Sequence, residues 1–167
     1  MPCNCKKPQP DYPETDNWGP VMWAILHALA QKSGNICSPY FRNDEKRHWI
    51  NLIKAFPKTI PCPSCREHAE KWVLANPPFD FKTTMNPSEL HEWIVDWCYD
   101  LHESVNERLD KQPFDKALLA QTYGSISIMG ALARLTPFID TAIRLSGLTR
   151  TPWQTWVKHV TVLSSYY

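Results

Sequence analysis

No segment of this chain alternates apolar and polar residues over a useful strand length, which argues against a sheet-built fold. An excess of one charge is also missing. The 18 basic and 17 acidic residues are spread along the chain, so there is no footprint for nucleic acid. No apolar run follows Met1, so we expect no cleaved signal peptide and take the cytoplasm as the default compartment. The most apolar late stretch, 125–148, is broken by Arg134, Pro137 and Asp140, and no membrane span is expected from it. Six cysteines in 167 residues are too few for a disulfide-stapled miniprotein. Apolar bulk, in contrast, is plentiful. With eight tryptophans and 12% aromatic residues, no long disordered tail is expected. A chain of this length makes about one domain and buries roughly two-thirds of its surface on folding.

The apolar spacing is helical. Residues 1–16 carry Cys3 and Cys5, four prolines and no period, and read as a flexible arm. Asp16-Asn17 offers a cap, Pro20 suits a first turn and Gly34 is a stop signal. Between them 21–30 is apolar except for His27, which suits a helix in the middle of a bundle, with His27 a core histidine bonded to a neighbour. Helices are expected near 43–56 and 62–75. A longer one opens at Asn86-Pro87-Ser88-Glu89 and repeats through Leu90, Trp93, Ile94, Trp97, Leu101, Val105 and Leu109. A short piece should follow over 113–123. A helix over 125–146, bent or broken by Pro137, and one from Thr151-Pro152 complete the chain. The fold class is all-α, a helical bundle.

Chemistry concentrates in the cysteines. Cys62-Pro63-Ser64-Cys65 sits at a helix start, where unpaired amides and the dipole favour a thiolate, the attacking species in disulfide exchange. Spacing alone leaves three readings open. These are a redox dithiol, half of a zinc site completed by Cys3 and Cys5, and a pair of reduced structural thiols. On the long helix, Cys98, His102 and Asn106 fall four residues apart. That stripe reads either as a satisfied polar face or as the polar edge of a bound cofactor packed by tryptophans.

Three segments then carry a resemblance. Trp18-Gly19-Pro20-Val21-Met22-Trp23 with Leu26-His27 resembles the opening helix of the Erv/ALR family of FAD-dependent sulfhydryl oxidases. Pro61-Cys62-Pro63-Ser64-Cys65 resembles its redox pair. The run from His102 to Asp115, with Val105, Asn106 and Lys111, resembles its flavin-binding stretch. Order and spacing agree over 17–123. The resemblance implies a four-helix bundle with a short fifth helix, a helical C-terminal extension, bound FAD and a homodimer. It divides the chain into the arm 1–16, an FAD-binding domain 17–124 and the extension 125–167. It makes Cys65 the sulfur nearest the flavin and Cys62 the one that exchanges with thiol-containing protein substrates, with O2 as the final acceptor. Gly19, Trp23, His27, His68, His102, Val105, Asn106, Lys111 and Tyr123 would line the cofactor, and no metal is implied.

Some positions depart from the family pattern. Glu103 stands for the usual Asn after the motif His, and Tyr123 for a Trp. Tyr99 occupies the place of a structural cysteine, so the corresponding disulfide is absent or Cys98 pairs with Cys37. A short oxidase with this extension resembles the viral branch more than the mitochondrial one, which adds the virion to the expected compartments. The arm's Cys3 and Cys5 suit a shuttle that relays oxidising equivalents to a client, because a one-residue gap gives a strained, easily reduced disulfide. The competing readings are a non-enzymatic zinc module and a helical interaction protein.

Overall fold

The computed structural model describes residues 11–78 and 85–167, and the described residues contain helices and turns but no strand. The helices are α1 (Thr15–Lys32), α2 (Arg42–Ala55), α3 (Pro63–Ala75), α4 (Pro87–Arg108), α5 (Leu119–Tyr123), α6 (Ile128–Arg144) and α7 (Arg150–Tyr166). Short 3-10 turns lead into α2, α3 and α5. The expected all-α class holds, and no single helix is long and apolar enough to cross a membrane among these residues.

The α1 helix is the central rod. Every residue from Ile25 to Ala30 is buried, so apolar side chains on all faces find partners. It packs against α4, α5, α6 and α7, while α2 lies along α7 and α3 meets α4. Gly34 ends this rod as expected. Its φ of 78° is a left-handed conformation that favours glycine, and any side chain there would run into the Pro87 carbonyl.

The start of α1 differs from the expectation. Its N-cap is Glu14, without a side-chain cap, and Pro20 lies inside the helix instead of in its first turn. Packing of Trp18, Gly19 and Met22 extends the helix through a proline that local signals place near its start. Pro137 likewise does not break α6, which runs continuously from Ile128 to Arg144. The Thr141 hydroxyl donates to the Pro137 carbonyl (3.0 Å), and Leu132, Leu135 and Ile139 hold the helix to the core. By contrast α4 begins as the sequence demands. Asn86 and Glu89 form a reciprocal capping box, with Pro87 at the first turn.

The segment beyond residue 124 belongs to the same apolar core as the rest. Ile128, Leu135 and Ile139 from α6, and Trp153, Trp156, Val160 and Leu163 from α7, join the α1 and α2 side chains in one cluster. A buried polar knot fastens its end. The Tyr167 hydroxyl donates to Glu45 Oε1 (2.7 Å) and accepts from Trp49 Nε1 (2.9 Å), and Gly34 N donates to the same carboxylate oxygen (2.7 Å). A carboxylate buried as fully as Glu45 is tolerated only with such partners.

Candidate functional site

Cys62 is the N-cap of α3, with Pro63 at the first helical position. Its sulfur accepts from the Cys65 amide (3.3 Å) and lies 3.3 Å from Ser64 Oγ. Both cysteines are present as half-buried thiols. The Cys65 thiol, the Ser64 hydroxyl and the helix amide together hold Cys62 down to about 5, against the pull of burial, and the Arg108 guanidinium adds to them. Cys65 moves the other way. Its hydrogen bond to Cys62 and its burial raise it, while Arg108 opposes them. In the reduced pair, therefore, the first proton leaves from Cys62.

Behind Cys65 lies a cavity bounded by α1, α3, α4 and the 3-10 turn before α3. Gly19, Trp23, Cys65 and Val105 line it, together with Trp18, Met22, Phe56 and Leu101. Four expected site residues thus share one wall system. Gly19 is buried, yet a Cβ there would meet only Thr15 Cγ2 at 3.6 Å, so the glycine leaves room on the cavity side.

An aromatic seam continues from this wall. Trp23 stacks on His102 with centroids 4.1 Å apart, and His27 stacks on Tyr123 at 4.6 Å. His27 Nε2 and His102 Nδ1 share a hydrogen bond of 3.0 Å that joins the two stacks. Burial lowers His27 to about 3, with His102 adding to the effect, and lowers His102 to about 4. Both rings are neutral at ordinary pH. His27 is therefore the bonded core histidine expected from its pattern, in ring contact with Trp23 of the cavity wall.

The remaining expected residues are not among those lining the cavity. His68 Nε2 lies 3.1 Å from Ser104 Oγ. Asn106 Nδ2 donates to Glu103 Oε1 (2.7 Å), which also accepts from Phe114 N (3.2 Å). The unusual Glu103 thus ties α4 to the segment after it. Lys111 is exposed, and its backbone amide closes the helix end on the Asn106 carbonyl (2.9 Å). Cys98 belongs to the core instead of to a polar edge. It is fully buried, and burial alone pushes it up to about 12. Cys37 is exposed, and both remain thiols, so the Cys37–Cys98 disulfide is not formed. Cys3 and Cys5 lie outside the described residues. Among the described residues no cluster of three or more His, Cys, Asp or Glu side chains is arranged to hold a metal.

Sequence reasoning did not single out Arg108, which donates from Nη2 to Cys65 Sγ (3.4 Å), or the wall residues Trp18, Met22, Phe56 and Leu101. The available signal for Arg108 was its place three residues after Val105, on the same helical face. The residues fit a large, partly polar cofactor such as FAD. Four buried side-chain nitrogens among the described residues have no partner: Trp18 Nε1 on the cavity wall, His27 Nδ1 and Arg108 Nε one contact away through Trp23 and Cys65, and Trp156 Nε1 on α7. Native proteins rarely leave such atoms unsatisfied, and the three around the cavity suit a ligand with several polar groups.

The sequence profile of the Erv1/Alr family matches residues 20–124, most of the chain and all of the cavity-forming elements apart from the start of α1, Thr15 to Gly19. The chain belongs to the Erv1/Alr family. Within it, the chain is 33% identical over 96 residues to the FAD-linked sulfhydryl oxidase of African swine fever virus (isolate Pig/Kenya/KEN-50/1950), covering 58% of this chain and 71% of the relative. It is 30% identical over 107 residues to the mitochondrial FAD-linked sulfhydryl oxidase erv1 of Schizosaccharomyces pombe, covering 64% and 53%. A putative FAD-linked sulfhydryl oxidase, 347L, of Invertebrate iridescent virus 6 is 28% identical over 96 residues, 56% and 80% of the two chains. No solved structure matches this Erv1/Alr chain significantly. Helices α6 and α7 lie beyond the family match.

Proposed function

We propose that this chain is an FAD-dependent sulfhydryl oxidase, joining paired thiols of protein clients into a disulfide and reducing O2 to H2O2. The observation that carries the reading is Cys65 on the wall of a cavity shared with Gly19, Trp23 and Val105, with its partner Cys62 at the N-terminus of α3. Relatives of the chain bear the name FAD-linked sulfhydryl oxidase. When bound, FAD accepts the two electrons of the dithiol and delivers them to O2.

Gly19, Trp23 and His27 on α1, His68 on α3, His102, Val105 and Asn106 on α4, and Lys111 and Tyr123 beyond it would hold the cofactor. The chain's own part is exchange and placement. A client thiolate attacks Cys62 in the oxidised pair, forming a mixed disulfide and releasing Cys65 as a thiolate. A second client thiolate then attacks the client sulfur and frees Cys62. The apolar wall of Trp18, Met22, Phe56 and Leu101 keeps water from the Cys65 side.

The arm is read as a shuttle, with Cys3 and Cys5 passing oxidising equivalents from Cys62 to the client. In support, the Tyr12 hydroxyl donates to the Pro61 carbonyl (2.9 Å), which anchors the chain beside Cys62. The seven residues back to Cys5 span at most about 25 Å, enough to return to that sulfur. In this division 1–16 is the arm, 17–124 the four-helix oxidase unit with its short fifth helix, and 125–167 the extension. A homodimer would form through surface that α6 and α7 leave bare. The cytoplasm, or a virion, is the compartment this reading favours.

The purified protein should be yellow, and Cys65→Ser should stay yellow while dithiols no longer bleach it. A colourless wild-type protein would sink the assignment. Cys3→Ser should slow oxidation of a protein client more than that of a small dithiol, and equal slowing argues against the shuttle.

A further inference from the structure

We propose that Arg108 is a catalytic residue, the counter-ion that receives Cys65 as a thiolate when a client displaces it from Cys62. This rests on the sulfhydryl-oxidase reading and adds a residue to it. Arg108 is the last residue of α4, where a cation ordinarily serves the helix dipole. Here three of the last four carbonyls are already used. Val105 and Asn106 accept from Leu109 N, Glu107 from Asp110 N, and Asn106 also from Lys111 N. The guanidinium instead turns across to α3 and donates from Nη2 to Cys65 Sγ at 3.4 Å. Among the described residues no carboxylate pairs with it. A half-buried cation without a carboxylate is costly unless an anion appears beside it during function.

Electron bookkeeping identifies that anion. When the client sulfur bonds to Cys62, the Cys62–Cys65 bond breaks and its electron pair leaves on Cys65 Sγ. No proton is transferred in this step, so the new charge must be met by a fixed donor. In the reduced pair, Cys62 holds Cys65 up through its hydrogen bond and its charge. In the mixed disulfide Cys62 is capped and both influences end. Burial then opposes the thiolate, and Arg108 is the charged group that favours it. Elsewhere the cavity presents apolar side chains from α1 and from the 3-10 turn and its C-cap, Trp18, Met22, Phe56 and Ile60, which supply no competing charge. The nearby imidazole of His68 is pushed toward its neutral form by burial and by this same guanidinium.

The test isolates Cys65 in the flavin-loaded Cys62→Ser protein and follows its thiolate by 240 nm absorbance and by iodoacetamide reactivity against pH. With Arg108 present, the midpoint should fall below the ordinary thiol value of about 8.5 despite half-burial. A midpoint above that value overturns the proposal without any change at residue 108. Arg108→Gln in the same background should raise the midpoint by about one unit, a tenfold loss of thiolate at lower pH, and Arg108→Lys should restore most of it. An unchanged midpoint in the glutamine variant, with flavin retained, also overturns it. A colourless wild-type protein would instead overturn the oxidase reading. A yellow, active enzyme whose Cys65 ignores residue 108 defeats the Arg108 assignment alone.

Discussion

Cys62 and Cys98 have opposite reactivity for reasons that composition does not reveal. Cys62 faces a helix amide, a hydroxyl and a second thiol, and its proton leaves near pH 5. Iodoacetamide should therefore label Cys62 of the reduced protein with a rate that inflects near pH 5, while native Cys98 stays unlabelled until unfolding. An inflection near pH 9 would contradict this. The sign for stability follows from the lowered value. The folded reduced protein holds fewer protons at Cys62 than the unfolded chain between about pH 5 and the ordinary thiol range. This contribution is therefore full above that range and is lost as pH falls toward 5. The Cys-Pro-Ser-Cys motif and its helix start were legible from spacing and capping rules. Arg108 was not, because its contact with Cys65 spans 43 residues and depends on how α3 and α4 meet.

Among the helices, α4 shows local and global signals in agreement. Asn86→Ala removes one side of the capping box and should cost about 1 kcal/mol, read as a lower denaturant midpoint with unchanged slope. Where α1 crosses α4, the joined histidines make the seam acid-sensitive. His27 and His102 are neutral in the fold but would protonate near 6.5 once unfolded, so stability is full above that pH and falls as pH drops toward 4. His102→Asn should flatten that decline in urea titrations run at pH 7 and pH 5, and an unaltered slope would remove the seam from the account. The prolines mark where local rules stopped working. Pro20 and Pro137 both sit inside helices, because neighbouring buried side chains hold the backbone where its own propensity would end it.

For the molecule as a whole, α1 and α2 depend on α6 and α7, which supply much of the surface covering them. Trp156 is fully buried, so Trp156→Ala should cost about 3–5 kcal/mol. Because one core is shared, tryptophan emission and release of the flavin, read by its own emission, should change in a single coincident transition in both proteins. Two separated transitions would mean the extension folds as an independent unit. Helical period, capping residues and the cysteine pair were readable along the chain because they act over one or two turns. The all-α class and the helix starts at Asn86 and Cys62 therefore emerge from residue order alone. Which helices touch does not. The cavity behind Cys65, the stacking of Trp23 on His102 and the burial of Cys98 all arise from crossings between segments far apart in sequence. Such contacts are set by how the apolar faces fill a common interior, a many-body packing outcome that no single helix encodes.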